Sequence, residues 1–385
     1  MRLNRPVYLD NQATTPCDPR VVQAMLPWFT ERFGNPHSAE HGMGREAEAA
    51  VEAARAEVAT LIGAEAREIV LTSGATEANN LAIKGAARHA AAMGDLRRRV
   101  ITVATEHKCV LESVADLAGE GFEPVVLPVR ADGLLDLDVL RAALAQPTLL
   151  VSVMAVNNET GVIQDLVGIA ALVHEAGALF HTDAAQAVGK IPLDVGVGID
   201  LLSLSGHKLY GPKGMGALYV RRRPRVRLQP LFSGGGQERG LRSGTLPTPL
   251  VVGLGEACRL ARLEMDEDAV RIEWLRDRLL AGLRGRMPGL RLNGSVVARI
   301  PGNLNITFPA GALEMMTAVP ELCVSTGSAC SSAAIEPSYV LRALGLSDAE
   351  AARTLRVGLG RFTSAADVDF AASRLADAAL QLIEA

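Results

Sequence analysis

Lysine and cysteine are both scarce in this 385-residue chain, and both can do chemistry. Of 39 Lys and Arg residues only five are lysine: Lys84, Lys108, Lys190, Lys208 and Lys213. An arginine-favouring codon bias accounts for the scarcity as a whole. Lys208 stands apart by position, because it closes the run Asp200-Leu-Leu-Ser-Leu-Ser-Gly-His-Lys208 just past an apolar strand. Ligands of α/β sheets gather at such carboxyl ends. Ser205 and His207 beside it offer a hydroxyl and an imidazole to a phosphate. A partly buried lysine amine is a nucleophile; an exposed one is a loop lysine. Local sequence leaves both readings open.

Asp183 ends the run Leu179-Phe-His-Thr-Asp183, twenty-five residues before Lys208. Adjacent strands would put both side chains in one cleft. A strand-end Asp suits the protonated ring nitrogen of pyridoxal phosphate, with a Lys joined to its carbonyl carbon. It is equally a common helix N-cap. Ser73-Gly74-Ala75-Thr76-Glu77 joins a strand to a helix through a Gly turn. Its backbone N–H groups and the Thr76 hydroxyl can receive a phosphate, or Thr76 can simply cap the helix. Gly211-Pro-Lys-Gly-Met-Gly216 is followed by a strand, which rules out a P-loop.

Five cysteines occur: Cys17, Cys109, Cys258, Cys323 and Cys330. The first four sit in or beside apolar segments and read as small buried hydrophobes. Cys330 sits in the small, polar run Ser325–Ala334, which reads as an exposed loop. An odd count at wide spacing is no secreted disulfide framework, and no Cys/His cluster has zinc spacing. His37, His41, His89 and His174 read as surface or structural. The basic run Arg221–Arg227 has no interleaved aromatics, so a solvated or interface face is expected there rather than nucleic-acid binding.

The elements that would carry these residues alternate. Strands are expected at Glu68–Thr72, Val100–Ala104, Glu123–Pro128, Leu149–Met154, Leu179–Thr182, Leu201–Ser205 and Gly216–Val220. Helices are expected at Thr76–Ala92, near Cys109–Glu120, and at Asp165–Ala176. This pattern predicts an α/β fold with a mostly parallel sheet flanked by helices. A long helix follows at Thr248–Arg286. Strands near Leu304–Phe308 and Leu355–Leu359 and a helix at Ala365–Glu384 then suggest a smaller α+β domain. Residues 16–262 are assigned to the large domain; 1–15 and 263–385 are assigned to the small one.

A net charge of −4 argues against a bulk nucleic-acid or membrane-surface binder. No apolar run approaches the ~20 residues that span a bilayer, and the first residues lack a secretory signal region of about 7–15 apolar residues. The cytoplasm is the expected compartment.

Strand-end Asp, strand-end Ser-Gly-His-Lys and phosphate loop occur together on one frame. With them, Tyr8–Pro16, Phe33–Ser38, Thr72–Gly85, Thr105–Lys108, Val156–Gly161, His181–Lys190, Ser205–Arg222, Gly234–Thr245, Ser325–Ser332 and Glu336–Leu346 closely resemble segments of the cysteine desulfurases of iron–sulfur cluster assembly. These belong to the class V aminotransferase group of pyridoxal-phosphate enzymes. The resemblance spans nearly the whole chain and implies an aminotransferase-like fold of type I.

It also implies roles. Lys208 would hold pyridoxal 5'-phosphate and then shuttle protons. Asp183 would bond the pyridine nitrogen and Gln186 the phenolic oxygen, with Asn158 nearby. His107 would stack on the ring and transfer protons. Ala75, Thr76, Ser205 and His207 would hold the phosphate. Thr245 would reach the phosphate of a neighbouring subunit, which requires a homodimer. Arg356 would clamp the carboxylate of L-cysteine, with Asn158 beside it. Cys330 would take the sulfur as a persulfide and pass it to an acceptor such as an iron–sulfur scaffold protein, sharing a cluster ligand transiently with it. Alternatives are a selenocysteine lyase or another pyridoxal-phosphate lyase or aminotransferase, and a non-catalytic sulfur-transfer scaffold. The long Ser/Ala loop around Cys330 argues against the former, and the presence of Lys208, Asp183 and Cys330 together argues against the latter. Housekeeping members extend past the last helix, so scaffold binding here is expected to be weaker or differently arranged.

Overall fold

Short β-branched runs bounded by turn residues become strands, and the longer Ala-rich and Leu-rich segments between them become helices. The computed structural model describes residues 6–326 and 337–384. Its strands are β1 (Val7–Tyr8), β2 (Ile69–Thr72), β3 (Arg99–Val103), β4 (Glu123–Leu127), β5 (Thr148–Ser152), β6 (Leu179–Asp183), β7 (Leu201–Ser205), β8 (Gly216–Val220), β9 (Arg291–Leu292), β10 (Asn303–Thr307), β11 (Leu322–Cys323) and β12 (Thr354–Gly358). Seven form one sheet in the order β2-β8-β7-β6-β5-β3-β4. Neighbours from β7 through β4 are parallel, and β8 runs antiparallel between β2 and β7. All residues of β2, β5, β7 and β8 are buried, as in a sheet covered on both faces. Strands β10 and β12 start one residue before the expected positions and form a three-stranded antiparallel sheet with β9.

The helix Thr248–Arg286 has the expected bounds and serves two hydrophobic clusters. Val251, Leu254, Ala257 and Leu260 join the cluster around Phe180 and Leu204. Ile272, Leu275, Leu279 and Leu283 join that around Leu9, Phe308 and Leu355. Their spacing of three and four keeps one stripe inward. The helix thus passes from one cluster to the other past Ala261.

The helix Gly42–Leu61 was not expected. It buries Ala47, Val51, Ala54 and Val58 on one face. Its packing on the long helix needs small residues: a Cβ on Gly255 would lie 2.6 Å from Ala54 Cα. Among the described residues, no helix is long and apolar enough to cross a membrane.

The outer edge of β2 is closed by a buried ion pair. Glu238 Oε2 accepts the Leu71 N–H at 2.7 Å, while Arg55 donates to the Ile69 carbonyl at 3.0 Å. Arg55 and Glu238 join through two hydrogen bonds of 2.6 and 2.7 Å. An open strand edge would otherwise leave these backbone groups unmet. Glu238→Ala would leave Arg55 with only the exposed Glu52 as an acidic partner and one N–H unmet in the interior. It should cost about 3–5 kcal/mol, read as a lower denaturant midpoint at unchanged slope.

Candidate active site

The carboxyl ends of β2, β3, β5, β6 and β7 open onto one cavity of about 550 Å³. From β7 the chain passes Ser205 into the turn Gly206–Lys208. Lys208 Nζ donates to the carbonyls of Gln12 and Ala13, both at 2.6 Å. From β6, Asp183 enters the cavity with its carboxylate already oriented. Its Oδ2 accepts from Asn79 Nδ2 at 2.7 Å and its Oδ1 from the Ala185 N–H at 2.9 Å.

From β2, the turn at Gly74 starts the helix Ala75–Ala92, and no side chain caps it. The Thr76 cap considered from sequence is therefore not made. The first-turn N–H groups have no intrahelical partner, and Ala75, Thr76 and Glu77 line the cavity. Gly74 has φ +149°, and a Cβ on Gly216 would lie 2.7 Å from Gly74 Cα. Glycine is needed at both positions for this close approach.

His107 follows β3. Its Nδ1 accepts the Cys109 N–H at 3.2 Å and lies 3.0 Å from Cys109 Sγ. An accepting Nδ1 puts the proton of the neutral ring on Nε2. His207 Nδ1 lies 3.0 Å from Thr14 Oγ1. Burial, then the charges of Lys208, Lys213 and Lys190, lower His207 to about 4. Gln186 Nε2 donates to the Gln12 carbonyl at 2.8 Å. Arg356, from β12, donates to Asp10 Oδ1 at 2.8 Å and to the Asn158 carbonyl at 3.1 Å.

Of the residues singled out from sequence, Ala75, Thr76, His107, Asn158, Asp183, Gln186, Ser205, His207, Lys208 and Arg356 line this cavity. Thr245 is exposed and lies outside it. Cys330 lies outside the described residues, and so does its expected role as a shared cluster ligand. Among the described residues no group of three or more His, Cys, Asp or Glu is arranged to hold a metal. The expectation for the other cysteines needs correction. Cys258 is buried, but Cys17, Cys109 and Cys323 are only partly so, and Cys109 lines the cavity. Its place at a helix start beside His107 puts it at the rim of polar space rather than in the core.

Several contributors were not singled out from sequence. Gln12 and Ala13, about 190 residues from the lysine they touch, reach the cavity from the N-terminal run together with Thr14. Local sequence carries no signal of that contact. Glu106 is fully buried behind Asp183, and burial pushes its carboxyl well up, with Asp183's charge adding to the effect.

The chain matches the family described as Aminotransferase class-V over residues 7–370. It is 54% identical over 368 residues to the cysteine desulfurase IscS of Rickettsia bellii (strain OSU 85-389), covering 95% of this chain and 89% of that one. Among solved structures, a NifS-like protein superimposes with a TM-score of 0.89 at 36% identity, covering 97% of this chain and 98% of the other. A structure described as SspA in complex with cysteine gives 0.81 at 40% identity, covering 93% and 99%.

The lowered His207 has a measurable consequence. Its NMR titration midpoint should lie near pH 4 rather than 6.5. The unfolded ring takes up its proton at 6.5 and the folded ring only near 4. The stability it contributes is therefore complete above pH 6.5 and lost as pH falls towards 4. His207→Asn should flatten that part of the pH–stability curve.

Proposed function

The chain belongs to the Aminotransferase class-V family, and from that premise we infer that it is a cysteine desulfurase, taking sulfur from L-cysteine and leaving L-alanine. The observation that carries the reading is the Lys208 amine, held by two carbonyls in a cavity it shares with a preoriented Asp183. The names of the matched relatives favour this over a selenocysteine lyase or an aminotransferase.

The residues present fit pyridoxal phosphate. The uncapped helix start at Ala75 and Thr76, with Ser205 and His207, forms a donor set suited to a phosphate. Asn158 Oδ1 and Arg356 Nε are buried without a hydrogen-bond partner among the described residues, and both residues line the cavity. Lys208 would hold the cofactor, Asp183 its ring nitrogen and Gln186 its phenolic oxygen. When bound, the group supplies an electron sink for the bond broken at the substrate's Cα.

The chain's own residues do the rest. Arg356 presents its guanidinium to the substrate carboxylate, a charge-assisted contact that fixes the amino acid's orientation. Lys208 takes the Cα proton and returns one. Asp183, kept in place by Asn79 and Ala185, keeps a proton on the group it faces. His107 presents Nε2–H for proton transfer. The Cys330 thiolate forms a bond to the substrate sulfur as the sulfur–carbon bond breaks. The electron pair of that bond stays on carbon, a proton is added there, and alanine leaves while Cys330 keeps a persulfide. That sulfur passes to an acceptor protein, such as an iron–sulfur scaffold, with which Cys330 shares a cluster ligand transiently. Thr245 is exposed, as a residue serving a partner subunit's phosphate in a homodimer must be before assembly. The cytoplasm suits a thiol-dependent carrier.

Cys330→Ser should keep the cofactor's visible absorbance and lower alanine release from L-cysteine by at least about 10³-fold, the usual scale for loss of a nucleophile. Mass spectrometry should find no persulfide on the variant. Alanine release at the parental rate would overturn the reading.

A further inference from the structure

We propose that Lys190 is a positioning residue of this site: it pins the side-chain amide of Gln186 so that only its N–H end can serve the cavity. The proposal rests on the pyridoxal-phosphate reading above. Lys190 does not line the main cavity; it lines a smaller one of about 30 Å³ behind it, with Tyr210 and Asp268. Its Nζ reaches Gln186 Oε1 at 2.7 Å. The contact is local in origin, because consecutive turns over 184–191 place residues four apart on one side.

The orientation of the amide follows from donor and acceptor chemistry. An ammonium has three donors and no acceptor, so the amide atom facing Lys190 must be oxygen. The Gln12 carbonyl only accepts, so the atom facing it at 2.8 Å must be nitrogen. A flipped amide would set an N–H against an ammonium and an oxygen against a carbonyl. Nε2 has a second hydrogen, and Gln186 lines the main cavity. The site is thus offered a donor and never an acceptor, which suits an oxygen carrying negative charge, such as the phenolic oxygen of the cofactor.

Lys190 keeps some exposed surface, but its amine is desolvated. Desolvation, with the charges of Lys208 and Arg356, draws it down to about 7. When the amine is neutral it still donates an N–H to Gln186 Oε1, so the amide keeps both of its anchors. The Gln12 carbonyl also accepts from Lys208. One carbonyl thereby joins the cofactor lysine to the amide that Lys190 sets.

The test is the pH titration of the visible absorbance of the cofactor-loaded enzyme. Loss of the fixed donor should make the cofactor's oxygen more basic. Lys190→Met is expected to raise the midpoint by about one pH unit, the scale of one hydrogen bond to a charged acceptor. Lys190→Arg, another donor without an acceptor, should hold the midpoint near its parental value. In a Gln186→Ala background, Lys190→Met should add no further shift. A shift of the same size in that background would mean a through-space charge effect and would overturn the proposal, as would an unchanged midpoint in Lys190→Met. If Lys190→Met does not fold, Lys190→Gln makes the same comparison, because its amide both donates and accepts and so no longer dictates which end of Gln186 faces it. Absence of any visible band from the parental enzyme supplied with pyridoxal phosphate would overturn the cofactor reading itself, and this proposal with it.

Discussion

The run from Val7 to Asp18 must satisfy its backbone polar groups against two separate hydrophobic clusters at once, and the site is assembled along that seam. At one end β1 pairs with β11, and the Leu9 carbonyl accepts from the Gly358 N–H at 2.6 Å. At the other, Thr15 and Asp18 donate to the carbonyls of His207 and Tyr210, each at 2.9 Å. Between them lie the Gln12 and Ala13 carbonyls that hold Lys208, and Asp10, which pairs with Arg356. A slip of one residue would misplace the anchors of Lys208 and of Arg356 together. The Arg361–Asp18 ion pair at 3.0 Å, with both side chains nearly fully buried, guards against such a slip.

Electrostatics around the seam follow from what is collected there. Lys208, Lys213, His207 and Arg356 border one cavity, and Lys190 stands just behind it. The chain as a whole carries −4, so this is a local positive region in an acidic protein. Burial first, and then the charges of Lys208, Lys213 and Lys190, keep the His207 imidazole neutral. Such a site favours anions, and a phosphate and a substrate carboxylate are the two it would receive.

Much of this was open to reading from sequence where a residue's neighbours along the chain determine its place. Lys208 and Asp183 follow apolar strands, so their position at the sheet's carboxyl edge comes from local pattern. The helix over Thr248–Arg286 showed in the acidic–basic mixture of an exposed helix face. Gly42–Leu61 escaped because alanine occupies both faces, with Ala47, Ala54 and Ala59 buried and Ala49, Ala53 and Ala56 exposed, which blurs the contrast between them. Nothing in the local sequence marked Lys190, because its desolvation arises from elements far away in sequence. Cys109 read as a buried hydrophobe because its apolar neighbours on the helix hid a polar partner two residues earlier. In each miss, the deciding contact lies off the local chain or against its trend.

The central claim is that the lysine held at the end of β7 is the one that takes the cofactor. Borohydride reduction of the enzyme loaded with pyridoxal phosphate, followed by peptide mapping, tests it most directly, since Lys190 and Lys213 lie within the same electrostatic neighbourhood. The adduct is predicted on Lys208 alone. An adduct on Lys190 or Lys213, or none on any lysine, would contradict the account.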